Sequence, residues 1–156
     1  MRKRLISRTP NNPAKEPAWL DLDRIVSVEV TSEDGAFPIE SALSLSGRQG
    51  WRAAELGVQT IRLIFDEPQR LNRISLVFVE TEIQRTQEFS LRWSPDRGKS
   101  FQEIVRQQWN FSSPDATREI ENYFVELSNV TLLDLTITPD LQNRKGRASL
   151  FSLRLA

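Results

Sequence analysis

The sequence predicts an all-β fold, an antiparallel two-sheet jelly-roll sandwich of about eight strands with one short helix. The first observation is strict alternation of side chains in three neighbouring segments, Thr60–Asp66, Ile74–Val79 and Glu88–Trp93. This period of two residues is typical of strands, because successive side chains of a strand point to opposite faces. The second observation is a hairpin signal, Ser94–Gly98, directly after the third segment. The third is the fairly even spacing of turn residues along the chain, which favours a sandwich.

The remaining elements follow from the same patterns. Pro38–Leu43 is predicted to be a short helix, because proline suits the first helical position and the apolar residues after it share one face. Ser46–Gly57 holds half of the glycines in the chain and is predicted to be a loop. Further strands are predicted over Ile25–Thr31, Phe101–Trp109, Arg118–Val125, Leu132–Ile137 and Leu150–Leu155.

The domain organisation follows from length and composition. A chain of 156 residues suits one domain, since about 68–70% of the unfolded surface is buried at that size. Residues 1–18 contain three prolines among charged residues and few apolar ones. We predict that residues 1–18 form an N-terminal extension, loose or wrapping, and that residues 19–156 form the jelly-roll domain.

Charge and cysteine content limit the partners and the compartment. Lys plus Arg is 21 and Asp plus Glu is 21, so no broad positive field favours a nucleic-acid partner. The chain has no cysteine, which fits a reducing compartment. The basic start, Met1–Ser7, lacks the apolar stretch of about 7–15 residues that a secretion signal needs. We therefore expect a cytoplasmic protein without a membrane span, whose oligomeric state the sequence does not indicate.

The absence of histidine removes most catalytic machinery. The commonest general base, the Ser-His-Asp relay and imidazole metal sites are all unavailable. Paired carboxylates remain an alternative, but those close in sequence lie at predicted strand ends or on extended stretches, where exposed carboxylates are ordinary. We predict that the protein is not an enzyme and has no catalytic residues. The carboxylate pairs considered are Asp21 with Asp23, Asp66 with Glu67, and Glu80 with Glu82.

The order of several motifs resembles the galactose-binding-like jelly rolls, that is, the discoidin or coagulation factor type C domains and their carbohydrate-binding relatives. The motifs are Phe37–Leu43, Gly50–Arg52, Gln59–Phe65, Leu71–Ile74 and Phe89–Phe101, and the resemblance covers roughly residues 25–156. It implies a jelly roll whose loops at one end form the binding surface. Because this fold hosts glycan, lipid and protein binders alike, the resemblance does not name the ligand.

Two departures from the family concern a structural calcium ion. The resemblance implies an aspartate-glycine pair after the short helix and a glutamate in the final strand. Here the corresponding segments, Ser44–Gly47 and Ser149–Leu153, contain no carboxylate. Calcium requires six to eight oxygen ligands with charge among them, so we expect no metal and no other cofactor.

The hairpin Ser94–Phe101 is also similar to the aspartate box of sialidases and other sugar-active folds. Its residues predict a turn device and not a ligand site. Asp96 is expected to cap nearby backbone amides, Gly98 to take the left-handed conformation, and Phe101 to pack underneath.

Candidate ligand-binding residues are those with the composition of a sugar site, which needs a flat apolar face and polar groups at its rim. They occur in the glycine-rich loop, before the strand at Glu88, at the end of the strand at Trp109, and in the loop Pro139–Arg147. Burial of the tryptophans in the core, and solvation or pairing of the arginines, is the competing interpretation for these residues. The predicted ligand-binding residues are Trp51, Arg52, Arg85, Gln87, Gln108, Trp109, Asn110 and Arg144.

The sequence therefore predicts a noncatalytic binding domain that recognises carbohydrate through loops at one end of the sandwich. The alternative is an intracellular protein-interaction or scaffold domain, which neutral charge and the inferred compartment support. An enzyme that uses two carboxylates ranks last.

Overall fold

The computed structural model describes residues 1–3, 18–47, 49–142 and 146–156. These ranges form two short helices and eight strands, and every strand pair is antiparallel. No helix among them is long and apolar enough to cross a membrane. Most of the predicted N-terminal extension lies outside the described residues. The elements are α1 Leu22–Ile25, β1 Val26–Val30, α2 Glu40–Leu43, β2 Trp51–Leu56, β3 Gln59–Val79, β4 Arg85–Ser94, β5 Gln102–Phe111, β6 Arg118–Thr138, β7 Arg147–Leu150 and β8 Ser152–Leu155.

Strands β3 and β6 are each 21 residues long and pair with each other along most of their length. The first half of β3 and the second half of β6 belong to one layer, in the order β1-β3-β6-β4-β5. The second half of β3 and the first half of β6 form a second layer, with β8 at its side. The two layers face each other across the core, where Phe78 of β3 stacks on Phe89 of β4 with ring centroids 5.1 Å apart. The all-β sandwich prediction is confirmed.

A bend in β3 joins the two layers, at a place where the sequence predicted a strand to end. Asp66, Glu67 and Pro68 are exposed, and the register with β6 shifts between Ile64 and Gln69. Because these residues have no register partner, the missing N–H of Pro68 breaks no ladder pair. The predicted separate strands are therefore two halves of one continuous strand.

A glycine-rich segment that was predicted to be a loop forms a strand instead. Trp51 and Ala53 of β2 are buried, Arg52 between them is exposed, and Trp51 is paired with Leu150 of β7. The alternation of buried and exposed residues covers only a few positions between Gly50 and Gly57, so the glycines indicated a loop. The predicted final strand is split at Phe151, whose N–H donates to Val77 O at 2.8 Å, so its two parts pair with different neighbours.

The hairpin between β4 and β5 confirms the prediction of a turn device. Asp96 Oδ1 accepts hydrogen bonds from Ser94 Oγ at 2.7 Å and from Ser100 N at 2.8 Å. Gly98 has a φ of +93°, and a Cβ there would meet the Phe101 ring at 3.7 Å. The Ser100 hydroxyl, which donates to Asp96 Oδ2, is the main reason why the pKa of Asp96 is lowered to about 2.

Gly50, which precedes β2, is a position that only glycine fits. Its φ is +75°, and a Cβ would lie 2.7 Å from Leu150 O and 2.8 Å from Phe151 Cα. The close approach lets β2 reach β7, so this glycine is needed to place Trp51 in the core and Arg52 on the surface.

We expect Gly50→Ala to lower the free energy of unfolding by about 2–4 kcal/mol, because it adds backbone strain to a clash with backbone atoms. Chemical denaturation followed by circular dichroism measures the change. Gly35→Ala is the matched control, since a Cβ there meets no atom within 4 Å and it should change stability by less than about 0.5 kcal/mol. Equal losses in the two variants would contradict this role of Gly50.

Candidate functional site

The loops that follow β3, β5 and β6 meet at one end of the sandwich. Glu80 N donates to Thr117 O at 2.8 Å, which joins the first two loops. Leu141 N donates to Thr86 O at 2.8 Å, which joins the loop after β6 to the start of β4. Two clefts among the described residues of this end are lined by predicted site residues.

The first cleft, called the aromatic cleft below, has a volume of about 220 Å³. Its aromatic walls are Phe37 and Phe151, both partly exposed. The Arg52 guanidinium lies 5.0 Å from the centroid of the Phe37 ring. The polar side chains at its rim are Gln49, Arg52, Glu80, Thr81 and Ser149.

The second cleft, called the polar cleft below, is larger, at about 610 Å³. The one aromatic residue among its lining residues, Phe111, is fully buried. Asp140 is also buried and accepts a hydrogen bond from Gln142 N at 3.0 Å. The other polar residues that line this cleft are Gln84, Arg85, Thr86, Asn110 and Ser112.

A buried ion pair stands between the two clefts. Arg85 Nε donates to Glu80 Oε1 at 2.7 Å, and Arg85 lines the polar cleft while Glu80 lines the aromatic cleft. Arg85 Nη1 donates to Pro139 O at 2.7 Å and to Gln87 Oε1 at 3.2 Å. Its guanidinium also lies 4.9 Å from the centre of the Phe111 ring. Because a buried charge is costly without partners, these contacts fix Arg85 in one conformation.

The polar network continues from Arg85 into the interior. Gln87 Nε2 donates to Glu119 Oε1 at 3.2 Å, and both side chains are fully buried. Burial is the main cause that raises the pKa of Glu119 to about 8, with a further contribution from the neighbouring Glu121. Tyr123 Oη donates to Glu121 Oε2 at 3.1 Å, and burial with that carboxylate raises the pKa of Tyr123. A protonated Glu119 avoids an unpaired buried charge.

Trp51 differs most from its predicted position. It is 1% exposed, lies on β2 and not on a loop, and its Nε1 donates to Ser32 O at 3.2 Å. Although it lies behind the aromatic cleft, it presents no ring face to a ligand in this structure. Its neighbour Arg52 is exposed and lines that cleft.

Arg85 and Gln87 also differ from expectation, since both are inside the sandwich. The network described above binds their polar groups to protein, although Arg85 Nη2 has no partner among the described residues. The alternation of β4 indicates that these positions face inward, but it gave no sign that polar residues would fill them. The competing interpretation, a paired arginine, is confirmed for Arg85.

The three predicted residues of β5 do not form one surface. Gln108 is exposed and donates to Glu88 Oε2 at 3.1 Å. Trp109 is partly buried, on the interior side of the strand. Asn110 lines the polar cleft and accepts from Thr86 Oγ1 at 2.7 Å. The two predicted tryptophans, Trp51 and Trp109, therefore do not share a cleft.

The remaining predicted residue, Arg144, lies outside the described residues. The sequence reasoning missed Phe37, Glu80 and Phe151, which line the aromatic cleft. Phe151 looked like part of an alternating strand, and its partial exposure arises from the break between β7 and β8. Over the residues that the structure describes, no group of three or more acidic side chains is arranged to hold a metal ion.

Comparison with known proteins gives a result at the level of fold. No protein-family model matches the sequence, and no curated protein matches it. Among solved structures, the family 32 carbohydrate-binding module of NanJ from C. perfringens, in complex with galactose, has a TM-score of 0.64 at 12% identity. That match covers 88% of this chain and 96% of that chain.

Two further matches are similar in extent. CpGH89CBM32-5 from Clostridium perfringens, in complex with GalNAc-β-1,3-galactose, has a TM-score of 0.63 at 18% identity, over 88% of this chain and 99% of that chain. The CBM32 of AlyQ, in complex with 4,5-unsaturated mannuronic acid, has a TM-score of 0.61 at 19% identity, over 85% of this chain and 95% of that chain. The chain thus has the galactose-binding-like jelly-roll fold, which confirms the resemblance seen in the sequence.

The raised pKa of Glu119 predicts a pH dependence of stability. Between about pH 4.5 and pH 8 the folded chain keeps a proton on Glu119 that the unfolded chain has lost. The free energy of unfolding should therefore fall as pH rises through this range. Between these pH values we expect the free energy of unfolding of the parent chain to fall by an amount on the order of 2 kcal/mol. Glu119→Gln keeps the acceptor for Gln87 and should remove this fall.

Denaturation curves at pH 5 and pH 8 measure this effect. The control is Glu55→Gln, which alters an exposed carboxylate and should leave the pH dependence unchanged. A Glu119→Gln variant with the same loss of stability at pH 8 as the parent chain would show that Glu119 is ionised in the folded protein.

Proposed function

We propose that the chain is a noncatalytic carbohydrate-binding domain and that its sugar site is the aromatic cleft. The observation that carries the proposal is the pair of partly exposed rings, Phe37 and Phe151, in a cleft of about 220 Å³ at the loop end. A small concave site with apolar walls and a few polar groups is the usual form of a ligand site. Such walls suit the C–H face of a sugar ring.

The rim of the aromatic cleft supplies the hydrogen bonds that sugar hydroxyls need. Arg52, Gln49 and Thr81 are exposed, so their polar groups are accessible to a ligand. Glu80 is different, because its Oε1 is bound to Arg85 and its Oε2 accepts from Glu82 N at 3.2 Å. The positive charges near the cleft are then Arg52, at its rim, and Arg118, whose guanidinium lies 5.3 Å from the centre of the Phe151 ring. They suit a neutral or an acidic sugar and not a cationic one.

The positions of the acidic residues support binding without catalysis. Glu80 is held by the buried Arg85, contrary to the expectation of a solvated carboxylate. Asp66 and Glu67 lie exposed on the bend of β3. Acid and base catalysis of glycoside cleavage needs two carboxyl groups that face each other across a substrate, and neither of these arrangements provides such a pair.

The neighbours in fold add support but do not name the ligand. The three modules described above are in complex with galactose, with GalNAc-β-1,3-galactose and with 4,5-unsaturated mannuronic acid. A fold that accommodates such different sugars leaves specificity to the side chains of each site. In this chain those side chains are Arg52, Gln49 and Thr81.

The alternative function, a protein-interaction domain, is favoured by a different surface. Ile120 and Phe124, on the outer face of β6, are 56% and 80% exposed. Neither residue lines the aromatic cleft, so sugar binding and contact with another protein can coexist.

We expect Phe151→Ala and Arg52→Ala each to weaken sugar binding at least tenfold, about 1.4 kcal/mol, because one removes a wall and the other a donor. A glycan array with neutral and acidic sugars identifies the best ligand for the unmodified chain. Isothermal titration calorimetry with that ligand then gives the affinity of each variant, and thermal unfolding confirms that the variant is folded.

Asn110→Ala, in the polar cleft, is the matched control and should bind as the unmodified chain does. Loss of binding in Asn110→Ala with normal binding in Phe151→Ala would move the sugar site to the polar cleft. An array without any bound glycan would refute the proposed function.

A further inference from the structure

The first half of β6, residues 118–127, is an edge of the second layer. Its register partners all lie on β3, from Leu71 opposite Leu127 to Val79 opposite Arg118, with a register shift between Leu71 and Arg73. Over the described part of the chain, no other strand pairs with this half of β6. An edge of this kind presents backbone N–H and C=O groups with which another strand can pair.

Alternate residues of this edge turn their backbone groups away from β3. Thr117 O accepts a hydrogen bond from Glu80 N, so the backbone groups of residue 117 point towards β3. On β3, Arg73 exchanges two backbone hydrogen bonds with Ala156. The N–H and C=O groups of Arg73 therefore point away from β6, and those of residue 74 point towards β6. In an antiparallel ladder the direction alternates along each strand. By this alternation Arg118, Ile120, Asn122 and Phe124 face the free edge. The register with β3 shifts between Phe124 and Leu127, but the side chains of β6 continue to alternate in burial through the exposed Glu126. These four residues and Glu126 are called the edge stripe.

The side chains of the edge stripe form an exposed row on the outer face of the layer. Ile120 and Phe124 are among the large apolar side chains that remain exposed in this protein. Arg118 and Glu126, at the two ends of the row, are exposed charges of opposite sign, and the exposed Asn122 is at its centre. Exposed apolar residues on an unpaired edge favour association with another strand.

The edge stripe is complementary to its own image under two-fold symmetry. An antiparallel pairing with the axis at Asn122 sets Arg118 opposite Glu126 of the second copy. The same pairing sets Ile120 opposite Phe124 of the second copy, and the two Asn122 amides face each other. Opposite charges and apolar pairs across strands are stabilising, and two amides can exchange hydrogen bonds.

We propose that the chain forms a homodimer in which the edge stripe pairs with that of a second copy about a two-fold axis at Asn122. The same surface then serves both partners, as in other two-fold interfaces. This inference goes beyond the proposed sugar binding and does not depend on it.

Neighbouring registers are less favourable. An axis at Glu121 opposes the two Glu121 carboxylates, and an axis at Tyr123 opposes Ile120 to Glu126. With the axis at Asn122 no like charges are opposed on either face, because on the inner face residue 119 meets residue 125 and Glu121 meets Tyr123. The side chains of β6 therefore favour the register with the axis at Asn122 over these two.

Charge reversal tests the pairing directly. In a homodimer, Arg118→Glu opposes carboxylates and Glu126→Arg opposes guanidinium groups, at two symmetric places each. We expect each variant to dimerise about ten- to thirtyfold more weakly than the unmodified chain. An equimolar mixture of the two variants restores both ion pairs and should associate as a heterodimer. The variant with both substitutions should dimerise like the unmodified chain.

Sedimentation equilibrium of the full chain, from about 1 µM to 1 mM, measures these constants. Lys99→Glu, which changes an exposed residue in the hairpin between β4 and β5, is the control for the change in net charge and should not alter dimerisation.

Asn122→Pro gives a second test, because the N–H of Asn122 faces the free edge and its removal breaks no hydrogen bond to β3. It should abolish the dimer while thermal unfolding stays close to that of the unmodified chain.

Two results would overturn the proposal. One is an unmodified chain that stays monomeric over the whole concentration range. The other is a mixture of Arg118→Glu and Glu126→Arg that associates no more strongly than either variant alone.

Discussion

The pairing of β3 with β6 is the constraint on which the rest of the structure depends. The two strands cross from one layer to the other together, so a single ladder positions both sheets. Their bends coincide: β3 turns through its exposed segment at Pro68, and β6 passes Asn129, which has a φ of +64°. Since two continuous strands already hold the layers together, the loops at the end of the sandwich can carry binding residues.

The fold was predictable because alternation is a local property that survives in the final structure. The limits of prediction arose where long-range contacts decide the outcome. The continuity of β3 depends on whether its bend has a ladder partner, and the break at Phe151 depends on a backbone bond to Val77. The candidate site was harder to predict, since partial burial of Phe37 and Phe151 results from the meeting of separate segments. The sequence shows residue types, whereas a cleft is made by their relative positions.

The buried polar residues at the loop end lower the stability of the fold, and their effect on the aromatic cleft helps to explain why they are there. A guanidinium, a glutamine and a protonated carboxyl group occupy inward positions of β4 and β6 where apolar residues would be expected to pack. Replacing such networks by apolar residues is often neutral or stabilising. Here Arg85 holds Glu80 at the wall of the aromatic cleft and so removes a free negative charge from it. The network therefore sets the electrostatics of the cleft while it stabilises the two loops that Arg85 joins.

The proposed dimer and the proposed sugar site meet at Arg118. Its guanidinium lies 5.3 Å from the centre of the ring of Phe151, a residue that lines the aromatic cleft. Its position on β6 is one end of the edge stripe. In the two-fold arrangement, the two Arg118 residues lie at opposite ends of the paired strands, roughly 27 Å apart for eight residues of strand. Two clefts held at about that separation can engage sugars several units apart on one polymer, which raises the overall affinity by effective concentration without any new contact. A single small cleft that binds one sugar weakly would then suffice for tight attachment to a repetitive glycan.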